Sequence, residues 1–324
     1  MARNNLILFI TNMPSQRKQI MKLGSVQIGR LFGDKISSYL KHKIDKYNLT
    51  YSKFDTKEKD LFMRRIVDVL LDKNITKTGK HRLSQWENGW RQNLREIQKD
   101  NNLESIEPRY FGKYSAVRIN RELAKPLSKN FERNTLSVIQ NWLFDKYLRN
   151  VDNVYEFGCG TGRNLLLVRD VNPKAELWGL DWTSSSQKII RKLAKEGFDD
   201  KLFAKKFDFF SPDKKFKLKN KSAVYTVAAL EQTGKNYKKF IDYLIENRPK
   251  VVIHIEPMAE LLDQNNLMDY LSIQYFKKRN YLDGLLDHLK MIEKAGKIKI
   301  VKAGRTYLGS LFIDGYSVTV WMPL

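Results

Sequence analysis

Residues 154–163 read Val-Tyr-Glu-Phe-Gly-Cys-Gly-Thr-Gly-Arg, a hydrophobic run that ends in three glycines at alternate positions. The run predicts a buried strand. Gly158, Gly160 and Gly162 permit a tight turn from it into a helix, expected over 164–170. Lacking side chains, they also let the backbone approach a ligand more closely than a Cβ allows. A second apolar run closes at Asp181, about 20 residues beyond Gly162. That is the separation expected of a carboxylate accepting from both hydroxyls of a ribose.

Around this turn the chain alternates between two periodicities. Short β-type runs at 151–157, 175–180, 202–207, 223–227 and 251–255 are separated by helix-compatible sequence. Such alternation predicts a doubly wound α/β domain: a parallel sheet with helices on both faces. A long helical stretch at 258–294 follows. Two further strands, 298–302 and 316–322, are separated by a loop containing Gly304, Gly309 and Gly315. Upstream, apolar residues at three- and four-residue spacings predict helices over 15–48, 56–72, 83–100 and 132–149. A looser stretch runs from Glu107 to Pro126. The expected organisation is a mostly helical substrate-recognition or lid region over 1–130 and a ligand-binding domain over 131–324.

With these motifs, residues 130–324 resemble the class I S-adenosylmethionine-dependent methyltransferases. Glu156-Phe-Gly158-Cys-Gly160-Thr-Gly162 matches the first motif of that family, in which an acidic residue ends strand one. Gly179-Leu-Asp181-Trp182 matches the second. Phe207-Asp208-Phe209, after the third strand, matches the segment that reads the adenine. The resemblance implies S-adenosylmethionine as cofactor. The glycines would take its methionine and ribose portion, and Glu156 would hold its amino group. Asp181 would bind the ribose, Trp182 would flank the adenine, and Asp208 would accept from the exocyclic amine, with Phe209 beside it. It also implies a seven-stranded Rossmann-like sheet whose last strand is antiparallel. A nicotinamide dehydrogenase is the main competitor, but its G-x-G-x-x-G fingerprint places the third glycine one residue later.

In an open α/β sheet the ligand lies beyond the carboxyl ends of the strands. Strand four leads into Ala228-Ala-Leu-Glu231-Gln232-Thr233, and strand five into His254-Ile-Glu256-Pro257. Methyl transfer to a hydroxyl needs a base, and histidine suits that task near neutral pH. Of His42, His81, His254 and His288, only His254 sits at an expected strand end. It is the candidate base, with Glu231 and Glu256 as alternative bases or as groups that orient it. His254, Glu256 and Asp263 also read as metal ligands, but their spacing is not diagnostic and no metal is expected. Residues 270–286 mix Tyr275, Lys277, Lys278, Arg279, Asn280 and Tyr281. They read either as a cap that contacts substrate or as an amphipathic helix on the sheet edge.

Absent motifs narrow the chemistry. The sole cysteine, Cys159, lies in the glycine turn, so it reads as a small apolar filler. No disulfide, cysteine metal cluster or pyrimidine C5 chemistry follows from it. The Asn/Asp-Pro-Pro-aromatic segment of adenine amino-methyltransferases is missing after strand four. So is the second glutamate of arginine methyltransferases. Thr78-Gly-Lys80 lacks the spacing of a phosphate-binding loop and reads as a basic turn. The net charge is +23, of which +15 falls in residues 1–150. It suits a polyanionic partner or a solvated lysine-rich surface equally. Runs such as Leu6–Ile10 are too short to cross a bilayer, and the N-terminus lacks a secretory series, so a cytoplasmic protein is expected. The favoured acceptor is a hydroxyl of a sugar, nucleotide-sugar or related small anionic metabolite. RNA and peptide or protein amines are the alternatives.

Overall fold

A computed structural model describes residues 19–324. The run Leu6–Ile10 and the first residues of the helix expected at 15–48 lie outside the described residues. From residue 19 the chain forms strand β1 (Ile20–Lys22), helices α1 (Ser25–Phe32) and α2 (Ser38–Lys46), strand β2 (Thr50–Lys53), and helices α3 (Thr56–Leu71) and α4 (Leu83–Asp100). The expected single helix over 15–48 is therefore divided. Gly33, in the left-handed region at φ +58, ends α1, and the Ser37 side chain accepts from the amide of Leu40 to start α2. Asp55 and Glu58 form a capping box at the start of α3.

The stretch expected to be loose holds a hairpin, β3 (Val117–Ile119) and β4 (Glu122–Pro126). Asn120 and Arg121 both take positive φ at its two-residue turn, as that reversal requires. Helix α5 (Phe131–Tyr147) leads into β5 (Asn153–Phe157), α6 (Arg163–Val171), β6 (Glu176–Asp181), α7 (Ser184–Lys195), β7 (Leu202–Lys206), β8 (Ser222–Val227), α8 (Lys238–Asn247) and β9 (Val251–Glu256). The long helical stretch at 258–294 becomes α9 (Leu267–Arg279) and α10 (Leu285–Lys294), parted by positive φ at Asn280 and Gly284. Strands β10 (Ile298–Arg305), β11 (Leu308–Ser310) and β12 (Ser317–Pro323) follow.

The large sheet has the order β10-β12-β9-β8-β5-β6-β7. Strands β5 to β9 run parallel, and β12 is antiparallel to both of its neighbours. Alternate side chains feed opposite faces. Val154, Leu177 and Ile253 pack with α5, α6 and α7, whereas Tyr155, Val224 and Val252 pack with α8 and α10. Each such side chain contributes roughly 1.5–3 kcal/mol when fully buried.

A second, antiparallel sheet has the order β1-β2-β4-β3-β11. Its last strand comes from the loop between β10 and β12, so Leu308 pairs with Ile119. Buried ions reinforce this junction. Arg118 donates to the carbonyls of Met268 (2.6 Å), Leu311 (3.2 Å) and Phe312 (2.9 Å) and to Ser272 Oγ (2.6 Å). Arg305 grips Asp269 with two bonds of 2.6 and 2.7 Å and Asp314 with one of 2.6 Å. Helix α9 is thereby fixed to both sheets.

Candidate functional site

The turn after β5 is as tight as its glycines imply. Gly158 has φ +77, and a Cβ there would lie 2.4 Å from the Cβ of Ala229. Gly160 has φ +52, and its Cβ would meet the indole of Trp90 at 2.8 Å. Neither position admits a side chain without displacing a neighbour. Gly162 closes the turn at the head of α6, and Cys159 is buried in it as a filler.

Two adjoining hollows open at this turn. The narrower is lined by Trp86, Trp90, Asp181, Trp182, Phe209 and Phe210, with Gly158 at its edge. Asp181 is buried. Its carboxylate accepts from the amide of Gly160 (3.0 Å) and from Thr183 N (2.9 Å) and Oγ1 (2.7 Å). A carboxylate has about four acceptor sites, so one remains for a ligand. Trp182 stacks on Phe210 with centroids 5.9 Å apart. Phe209 faces the hollow. Asp208 does not line it; its carboxylate accepts from the amide of Phe210 at 2.8 Å and shapes the turn that presents both phenyl rings.

Glu156 stands one side chain back. Its oxygens accept from Asn164 Nδ2 (2.6 Å) and Tyr225 Oη (3.0 Å), and burial pushes its carboxyl up to about 8. Asn164 lines the wider hollow and Glu156 does not. Glu156, expected to meet the ligand itself, is therefore joined to the hollow by way of Asn164.

The wider hollow, of about 910 Å³, lies within the usual range for ligand sites. Glu231 lines it, together with Arg82, Tyr110, Tyr275, Arg279, Tyr281 and Tyr316. Burial first, and the neighbouring Glu256 second, push Glu231 up to about 8. Glu256 lies beneath the loop that carries Glu231 and is fully buried. The loop starts at Ala228, held at φ +47, a strained conformation for a residue with a side chain.

His254 is not at the site. Strand β9 continues two residues beyond it, and β12 lies alongside with Thr319 opposite. The ring is 0% exposed, shares a hydrogen bond of 3.0 Å between Nδ1 and Thr226 Oγ1, and lines neither hollow. Burial lowers its pKa to about 3, which keeps it neutral. A base must reach the proton it removes, and this ring cannot. Of the three candidates, only Glu231 faces the cavity. His254, Glu256 and Asp263 do not assemble as metal ligands: Glu256 is spent on backbone amides, and among the described residues no acidic, histidine and cysteine cluster fits a metal.

Several site residues went unseen in the sequence. Helix α4 brings Trp86 and Trp90 over the glycine turn, and Glu87 from the same helix caps α7. Its carboxylate accepts from the amides of Ser184 (2.7 Å) and Ser185 (3.1 Å) and from Ser185 Oγ (2.5 Å). The Thr78-Gly79-Lys80 turn anchors the far end of α9, with Thr78 N donating to the Arg279 carbonyl at 2.8 Å.

Sheet order, glycine turn and Asp181 together give this chain the fold of the class I S-adenosylmethionine-dependent methyltransferases. No family model matches the chain, and no curated protein matches it. Solved structures of similar fold include human N-acetylserotonin methyltransferase in complex with SAM (TM-score 0.39, 14% identity, 60% of this chain and 56% of that one). The chain thus spans little more than half of that enzyme's length. Magnesium protoporphyrin IX methyltransferase from Synechocystis PCC 6803 with bound SAH gives a TM-score of 0.43 at 15% identity, over 59% of this chain and 82% of that one. Geranyl diphosphate methyltransferase in complex with SAM gives 0.44 at 12% identity, over 62% and 93%.

Proposed function

We propose that this chain is an S-adenosylmethionine-dependent methyltransferase that modifies a hydroxyl of a small anionic acceptor, of the sugar or nucleotide-sugar kind, with Glu231 as the base. The observation that carries this reading is the adjoining pair of hollows: one aromatic and floored by Asp181, the other lined by Glu231 on the loop after β8 and by Glu132 on α5.

The residues present fit the cofactor. The glycine turn is a cradle that any Cβ would fill, and Asp181 keeps an acceptor site free beside six aromatic side chains. Asp181 would hold the ribose, and Trp182, Phe209 and Phe210 would sandwich the adenine. Asn164, oriented by Glu156, would meet the amino group. When bound, the cofactor supplies an electrophilic methyl carbon. The chain's own part is alignment of the acceptor and removal of its proton. Glu231, held neutral more than most carboxyls, is poised to accept a proton near neutral pH once ionised. Residues 1–130 act as the substrate-recognition region, because Arg82, Trp86, Trp90 and Tyr110 line the cavity from that side.

The decisive experiment mixes the purified chain, labelled S-adenosylmethionine and fractionated polar metabolites, and reads label transfer by mass spectrometry. Transfer to a small hydroxylated acid supports the proposal. Transfer only to RNA or peptide overturns the acceptor class, and failure to bind S-adenosylhomocysteine overturns the whole.

A further inference from the structure

Arg82 and Arg279 share the wider hollow, and among the described residues neither has a carboxylate in ion-pair contact. Arg82 is 8% exposed. Its Nε donates to Gln85 Oε1 (3.0 Å), its Nη1 donates to Gln232 Oε1 (2.8 Å), and its guanidinium lies 5.1 Å from the Trp86 ring centre. Arg279 donates to the carbonyl of Thr76 and lies 5.4 Å from the Tyr281 ring centre. Its Nε is buried without a partner. Both cations are thus anchored by neutral groups alone.

Burial together with the charge of Arg279 holds Arg82 below the usual guanidinium range. Placing two like charges side by side away from water is unfavourable unless an anion joins them. The nearby carboxyls make no ion-pair contact with either arginine among the described residues, although the charge of Glu231, when ionised, favours both. Glu231 is kept protonated into the neutral range, and Glu132 is also shifted upward by burial and accepts the amide of Gly112. Two guanidinium forks with free donors match the paired oxygens of a carboxylate or phosphate.

We propose that Arg82 and Arg279 clamp an anionic group of the acceptor, a carboxylate or phosphate, and so determine which end of it reaches Glu231. The proposal rests on the methyltransferase reading above. One end of the clamp belongs to the region before the Rossmann-like domain and the other to α9, so acceptor binding would draw the two together.

The test has two stages. Calorimetry with S-adenosylhomocysteine alone first establishes the cofactor site in the wild type, Arg82→Met and Arg279→Met. Thermal melts of the saturated proteins are then run with inorganic phosphate or benzoate, at ionic strength held constant with chloride. The wild type should be stabilised saturably by at least one of the two. Which one it is distinguishes a phosphate from a carboxylate acceptor. Each Met variant should bind that anion about tenfold to a hundredfold more weakly, with cofactor affinity unchanged. Should Arg82→Met fail to fold, the less buried Arg279→Met carries the test, and Arg279→Lys should recover part of the affinity. A wild type that binds S-adenosylhomocysteine but responds to neither anion overturns the clamp and leaves the methyltransferase reading standing. Loss of S-adenosylhomocysteine affinity in both Met variants also overturns it, by assigning the arginines to the cofactor's own carboxylate. No cofactor binding by the wild type overturns the underlying reading instead.

Discussion

The carboxylate of Glu256 accepts the backbone amide of Glu231 at 3.1 Å, along with those of Ala229 (3.1 Å) and Leu230 (3.0 Å). Burial raises Glu256 to about 7, with its three amide donors favouring the ionised form and limiting the rise, whereas Glu231, with the Gln232 amide at 2.8 Å, is raised to about 8. The pair therefore divides its labour. Glu256 holds the loop, and Glu231, repelled by the charge below it, keeps its proton longer.

If Glu231 is the base, it must be ionised to act. Activity with the acceptor in hand should then rise with pH through a value near 8, where burial and Glu256 hold its carboxyl. Glu231→Gln should lower kcat by ~10²–10⁴-fold and abolish that rise. Cofactor affinity, measured by calorimetry, should be nearly unchanged. A variant with near-normal kcat and the same profile would remove Glu231 from the mechanism.

His254 should behave as a core residue. It is neutral and fully enclosed, so no activity limb near the ordinary imidazole value is expected. His254→Ala should destabilise the protein by about 2–4 kcal/mol through the cavity it leaves and the partner it strands on Thr226. Denaturant melts measure this directly. A large loss of kcat in a variant of unchanged stability would restore His254 to the site.

Asp181→Ala should weaken S-adenosylhomocysteine binding sharply. Each charge-assisted bond to a ribose hydroxyl contributes about 1.5–3 kcal/mol. The substitution also strands the amide of Gly160. Unchanged calorimetric affinity would remove the ribose from this position.

Several buried carboxyls make stability depend on pH, among them Glu256, raised by burial from 4.5 to about 7. Glu156 and Glu231 both have folded values near 8, raised from an ordinary 4.5. Between those values the folded state binds more protons than the unfolded one, so stability falls as pH rises from about 4.5 to about 8. Glu156→Gln should flatten this slope in thermal melts. A wild-type stability that climbs across the same window would contradict the burial argument.

Arg118 gives a stability test away from the cavity. It is 2% exposed and serves four acceptors on two segments, α9 and the residues after β11. Arg118→Leu should cost about 3–5 kcal/mol, because buried carbonyls lose their donors and the adjacent Arg305–Asp269–Asp314 group loses a neighbour. Urea titration would show it, and a variant as stable as the wild type would mean the network is replaceable.

Much of the architecture was legible because it rests on periodicity. The five parallel strands start and stop within two residues of the apolar runs that predict them, and α4 spans 83–100 as its spacing requires. The glycine turn and Asp181 were legible for a different reason: only certain residues tolerate that backbone. His254 was misplaced because the run Val251–Ile255 does not reveal that β12 will pair alongside and enclose it. Trp86, Trp90 and Arg82 were missed because four-residue spacing describes any buried helical face. It does not say whether that face meets a core or a ligand. The small strands β3, β4 and β11 are too short for a pattern to register, and β11 finds its partner far away in sequence.

That distance has a consequence for how the protein comes into being. Strand β3 is made long before β11, and Ile119 waits for Leu308 while the intervening chain is still being synthesised. During that interval the edge of β3 is open to any other strand, and the acceptors that Arg118 will meet on α9 and beyond β11 do not yet exist. Contacts so remote in sequence form slowly, because a long loop must close first. The cavity wall is therefore among the last parts of the molecule to assemble. A nascent chain stalled before residue 308 would hold the five parallel strands, a β10 still without its β12 partner, and an unfinished acceptor site.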